Sequence, residues 1–166
     1  KEIADPELAQ QRMKELYRLK GYSDDWIEKR VRGIAVRQEL TDEWKKHDVK
    51  EDVEFAILTN EISKATFGKT VEEYKSFKNL NKENLRDHMN DLELIFTMLG
   101  ERVTTEITKN ENAEGFDDCK DKAIRGGKVA GNARKEAEKE IGKTITSNEN
   151  YLDQSESVKR KRISKD

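Results

Sequence analysis

Two Gly-Lys-Thr tripeptides, Gly68-Lys69-Thr70 and Gly142-Lys143-Thr144, come nearest to a phosphate-binding loop. Such a loop needs another glycine five residues earlier, so that the backbone can curl and aim its amides at a phosphate; Ser63 and Ala137 hold those positions. Each tripeptide reads instead as a helix stop followed by a threonine cap. Gly126-Gly127-Lys128-Val129-Ala130-Gly131 lacks both the dinucleotide-binding spacing and a preceding strand, and reads as a hinge between helical pieces. His47 and His88 have no second histidine at helical spacing, so no zinc site is expected. Cys119 is the single cysteine, which excludes an internal disulfide.

The carboxylates are numerous but not organised. Asp87 and Asp91 fall four residues apart, as paired carboxylates in metal nucleases can, yet a chain with 35 acidic residues produces such pairs by chance. Glu43-Trp44-Lys45 matches an acidic-x-lysine nuclease element without the strand or the partner aspartate that element requires. No Gly-x-Ser-x-Gly elbow occurs. The expectation is a protein without enzymatic activity, cofactor, metal or small-molecule substrate.

Binding chemistry is easier to place. Trp26 and Trp44 lie eighteen residues apart, five helical turns, and so on one side of a long helix, as core side chains or as anchors for a partner. Arg86 and His88 are candidates for polar partner contacts. Lys128, Arg134 and Lys135 belong to a basic stretch interleaved with Glu136, Glu138 and Glu140, which reads as a solvated face before a phosphate track. Lys159-Arg160-Lys161-Arg162 is the better candidate for weak, salt-sensitive contact with DNA.

The elements that must position these residues are helical. Among 166 residues, charged types reach 41 % and hydrophobic types only 33 %, so the core must be thin. One proline and nine glycines leave few tight turns, which argues for long helices over a sandwich or barrel. A net charge of -2 gives no global positive field. No apolar run has membrane-spanning length, and the expected location is the cytoplasm. Asp5-Pro6, Ser23 and the Thr70/Glu73 capping box announce helix starts, and Gly21, Gly68 and Gly142 announce stops. A run from Ser23 through Trp44 reads as one helix. Asn81 is expected to cap the strongest helix, carrying Leu85, Met89, Leu92, Ile95, Phe96, Leu99, Val103 and Ile107. The predicted core joins Trp26, Ile27, Val31, Ile34, Phe55, Leu58 and Ile62 to Leu85, Met89, Leu92, Ile95, Phe96 and Leu99 of that stripe. The resulting plan is an all-α irregular bundle of five or six helices: a core over residues 1–109, a glycine-hinged helical arm over 110–142 and a disordered tail over 143–166. Residues 1–21 read as a lead-in helix from a domain upstream of Lys1.

Gly21-Tyr22-Ser23-Asp24-Asp25-Trp26-Ile27 and Arg37-Gln38-Glu39-Leu40-Thr41-Asp42-Glu43-Trp44 resemble segments of a prophage and bacterial family. So do Lys82-Glu83-Asn84-Leu85-Arg86-Asp87-His88-Met89 and Gly126-Gly127-Lys128-Val129-Ala130-Gly131-Asn132-Ala133-Arg134. Over about Ile3 to Tyr151 the chain is similar to the C-terminal region of Bro-N-domain antirepressors, also described as DNA-damage-inducible protein D. The resemblance implies a non-enzymatic regulator whose helical region binds a repressor or recombination factor, or self-associates. It transfers no catalytic residues. Where this chain has Asp48 and Asp52, glycine is common in that family, so two aspartates should stiffen and charge the turn.

Overall fold

A computed structural model describes residues 5 to 152. Within them the chain is all-helical, an irregular bundle of six α-helices and one 3-10 turn, with no strand. Helix α1 (Pro6–Leu19) begins as its sequence predicts, the Asp5 carboxylate accepting the Leu8 N–H and Pro6 opening the first turn. Ser23 caps α2 (Asp24–Lys46), which runs unbroken through Thr41-Asp42-Glu43. Asp48 and Asp52 follow with φ of +65 and +66, backbone that glycine adopts freely and aspartate only at a cost of roughly 1 kcal/mol each. Helix α3 (Val53–Phe67) ends at left-handed Gly68, and α4 (Val71–Phe77) starts on the Thr70/Glu73 capping box.

Asn81 does not cap the next helix. Leu85–His88 form the 3-10 turn, and α5 (Asp91–Asn110) begins behind Asn90, which makes a second capping box with Glu93. The reason lies in the groups that claim this stretch. Tyr22 Oη donates to the Asp87 carbonyl at 2.7 Å and Trp26 Nε1 to the Met89 carbonyl at 2.8 Å. Tyr17 Oη and Arg30 Nε both donate to the Asp87 carboxylate. Backbone acceptors held by side chains of α2 and its lead-in are not free to continue an α-helix. Asp87 and Asp91 therefore sit on different elements, not on a shared carboxylate face.

Gly126-Gly127 is no hinge. Helix α6 (Gly115–Ile141) passes through it without interruption and packs along both α3 and α5. A Cβ at Gly126 would lie 2.1 Å from Thr104 Oγ1, one at Gly127 2.7 Å from Ala65 Cβ, and one at Gly131 2.1 Å from the Ala65 carbonyl oxygen. Contact this close leaves room only for small groups on the facing helix. The buried positions in the second half of α5 are, besides Glu101, accordingly small, Gly100, Thr104, Thr105 and Thr108, with each threonine hydroxyl donating to the carbonyl four residues back. The large apolar residues expected there are displaced: Ile95 is 40 % exposed, and Leu92, Leu99, Val103 and Ile107 are half-buried. Ile34 and Phe55 are half-buried too, while Trp26, Ile27, Val31, Leu58, Ile62, Leu85, Met89 and Phe96 are core.

Two apolar clusters hold the bundle. Trp26 centres one, stacked on Tyr22 with ring centroids 4.0 Å apart, beside Tyr17, Phe67, Tyr74, Met89 and Leu94. Trp44 centres the other with Leu40, Leu58, Cys119 and Ala123, so α2 ties both ends together. Residues 143–152, expected to be disordered, are instead strapped to the first cluster. Ile145 is buried, and Lys78 Nζ donates to Glu93 Oε1 at 3.0 Å and to the carbonyls of Ser147 and Glu149 at 2.6 and 3.1 Å. Tyr74 Oη donates to the other Glu93 oxygen. Burial pulls the Lys78 ammonium below its ordinary value against the pull of Glu93. No helix among the described residues is long and apolar enough to cross a membrane.

Adding one methyl group to each of two buried helical glycines should have opposite results. Gly131→Ala gains about 1 kcal/mol in helix propensity, but its collision with the Ala65 carbonyl should turn this into a net loss of about 1–3 kcal/mol. At Gly33 the new methyl would rest at an ordinary 3.6 Å from Met98 Cγ, so Gly33→Ala should gain up to about 1 kcal/mol. Urea unfolding midpoints of the two variants provide the check.

Candidate functional site

A cleft of about 590 Å³ is bounded by α2, α3, α4, the 3-10 turn and α5. Each element contributes by its own periodicity. Arg30 and Arg37, seven residues apart, project from the same side of α2 as the apolar stripe, and Glu101 projects from the buried side of α5. Arg86 and Leu85 come from the 3-10 turn, and Lys75, Lys82 and Glu83 line the α4 end.

Glu101 organises the floor. Only 1 % of its side chain is exposed, and it accepts Arg86 Nη1 at 2.9 Å and Nη2 at 2.7 Å in a two-pronged pair, plus Arg37 Nη1 at 3.2 Å. Burial works against ionising Glu101, but the Arg86 and Arg37 guanidiniums outweigh it and hold the carboxyl below the usual carboxylate range. Burial draws Arg37 below its ordinary value despite Glu101. Arg37 also donates to Thr59 Oγ1 at 2.7 Å and lies over the Trp44 ring.

The residues singled out from sequence are distributed differently. Trp26 and Trp44 are wholly buried, so neither is an exposed anchor; their five-turn spacing serves the two cores. Arg86 does reach the cleft, committed to Glu101. His88 is buried, its Nδ1 accepting the Tyr151 N–H at 2.9 Å and its ring stacked on Tyr151, so it is a clasp for the strap and not a surface contact. Arg134 is also taken: Nε donates to the Thr66 carbonyl at 2.6 Å and Nη1 to Glu138 at 2.7 Å, sealing the end of α3. Lys128 and Lys135 are exposed on α6. Lys159, Arg160, Lys161 and Arg162 lie outside the described residues.

Among the described residues, no group of three or more histidine, cysteine, aspartate or glutamate side chains is arranged to hold a metal. Glu43 pairs with His47 Nε2 at 2.8 Å, while burial pushes the Cys119 thiol up to about 11. The residues sequence reading passed over are Arg30, Arg37 and Glu101. Their signal was present as charged side chains on otherwise apolar helix faces, where burial demands an opposite charge nearby. Comparison with family models, curated proteins and solved structures gives no match for this chain.

Glu101→Gln should destabilise the fold by about 3 kcal/mol, because two guanidiniums lose their shared counter-charge. Since the folded carboxyl is depressed, its contribution is complete above the unfolded value near ~4.3 and is lost as pH falls through the lower folded value. Urea midpoints measured from pH 7 into the acid range should converge for the wild type and Glu101→Gln.

Proposed function

We propose that this chain is a non-enzymatic regulator region of the antirepressor-like, DNA-damage-response kind, working in the cytoplasm by binding a protein. Its partner is a repressor, a recombination factor or a second copy of the chain. The observation that carries this reading is the outward face of α1. Met13 and Tyr17 turn inward to the Trp26 cluster, while Leu8, Leu16 and Leu19 point away, Leu16 60 % and Leu19 84 % exposed. Leu8 and Leu19 are three turns apart and Leu16 is one turn before Leu19, so the three share one side. A thin-cored chain has few leucines to leave in water. Covering each one would contribute roughly 1.5–3 kcal/mol to association.

A second reading is supported by Lys128 and Lys135, two turns apart and exposed on α6. It makes the chain a nucleic-acid-associated modulator of recombination, with the basic arm and tail supplying salt-dependent contacts.

Size-exclusion chromatography with light scattering is expected to show a dimer or larger species that Leu16→Lys/Leu19→Lys converts to monomer with unchanged circular dichroism. A monomeric wild-type chain whose pull-down profile is identical to that of the double variant would defeat the α1 reading.

A further inference from the structure

Over the whole chain, acids exceed bases by two, yet the cleft reverses that balance. Its lining carries five cations, Arg30, Arg37, Lys75, Lys82 and Arg86, against two carboxylates, Glu83 and Glu101. Both carboxylates are already engaged, Glu101 by the two guanidiniums and Glu83 by the Asn81 N–H at 2.7 Å. Asp87 balances Arg30 from beside the cleft, leaving a surplus of two positive charges. The ammonium groups of Lys75 and Lys82 form no hydrogen bond or ion pair among the described residues, although, with the Asn81 N–H, the Lys75 charge helps to hold the Glu83 carboxyl below its usual range.

Apart from the Asn84 and Gln38 amides, the side-chain donors left over in the lining are cationic. Thr59, Ser63 and Thr97 spend their hydroxyl hydrogens on the carbonyls of Phe55, Lys69 and Glu93. Arg37 and Arg86 each commit two of their five N–H groups, and none of their nitrogens is both buried and unpartnered. The Nε atom of each, which has no partner, is therefore not sealed from solvent. Ile62, Phe67, Val71 and Leu85 supply apolar wall beside them, and low-dielectric walls concentrate the positive potential.

We propose that this cleft binds a phosphate monoester carried on an apolar or aromatic body, the chemistry shared by a free mononucleotide and the 5′-phosphorylated end of a nucleic-acid strand. A surplus of two cations matches the near-double charge of a phosphate monoester at neutral pH better than the single charge of a carboxylate. The two guanidiniums are already fixed by Glu101, so their remaining N–H groups meet such an oxyanion without first having to be ordered. The cleft site is independent of the α1 face, and either can fail alone.

The test is calorimetric titration of the 166-residue chain with AMP, adenosine, inorganic phosphate, and a short oligothymidine with either a 5′-phosphate or a 5′-hydroxyl. At least one phosphorylated probe should bind about tenfold or more tightly than its unphosphorylated counterpart, and more weakly as salt rises. Tighter binding of AMP identifies a free nucleotide as the source; tighter binding of the 5′-phosphorylated strand identifies a strand end. Lys75→Gln/Lys82→Gln removes the two unpaired charges and should weaken that binding about tenfold, with the thermal midpoint of the ligand-free chain unchanged. Lys82→Gln alone, at an exposed position, should give a smaller weakening in the same direction. The proposal is overturned by failure of all phosphorylated probes to bind, by equal affinity for phosphorylated and unphosphorylated partners, or by variants that bind as the wild type does.

Discussion

The approach of α6 to α3 and α5 is the constraint from which most of the architecture follows. With no side chain at Gly126, Gly127 and Gly131, the α6 backbone comes against Thr104 on one side and the Ala65 carbonyl on the other. Dispersion gains are greatest at such distances, and any added atom must displace main chain. Where Gly126 and Ala130 meet it, α5 offers Thr104 and Gly100, and the Thr104 hydroxyl turns back onto its own helix. This is how a chain with so little apolar content closes a core: small groups at short range do what larger side chains do elsewhere.

Once α5 is pinned in this way, its two buried carboxylates define what lies on either side. Glu93 meets Tyr74 and Lys78, and through Lys78 it fastens the segment after α6. Glu101, two turns later, gathers Arg86 and Arg37 and sets the floor of the cleft. Each is a buried charge whose desolvation is offset by several donors, and each would be costly if left half-paired. One network is closed by the chain itself, while the other faces an opening that still carries excess positive charge.

Local chemistry was legible in the sequence. Asp5-Pro6, Ser23, Thr70 with Glu73, Gly68 and Gly142 act at the termini they announce, because a cap depends on neighbours within a turn. What stayed hidden depended on distant partners. Nothing near Leu85 reveals that Tyr22 and Trp26 will take the Asp87 and Met89 carbonyls. Gly126-Gly127 has the composition of a flexible joint, and only the surfaces of α3 and α5 make it a contact face. Of the candidate site, Arg86 was singled out only as a partner contact, and its tie to Arg37 through Glu101 spans helices far apart in sequence.

The wedge-like seat of α6 also governs how the molecule can be made. Helices α3 and α5 touch each other little and are joined mainly through the helix that comes after both. A ribosome delivering this chain from its amino end therefore releases most of the bundle before the piece that locks it is available. Completion of the core therefore waits for the last helix to emerge, because the contacts that join α3 to α5 are made largely by it.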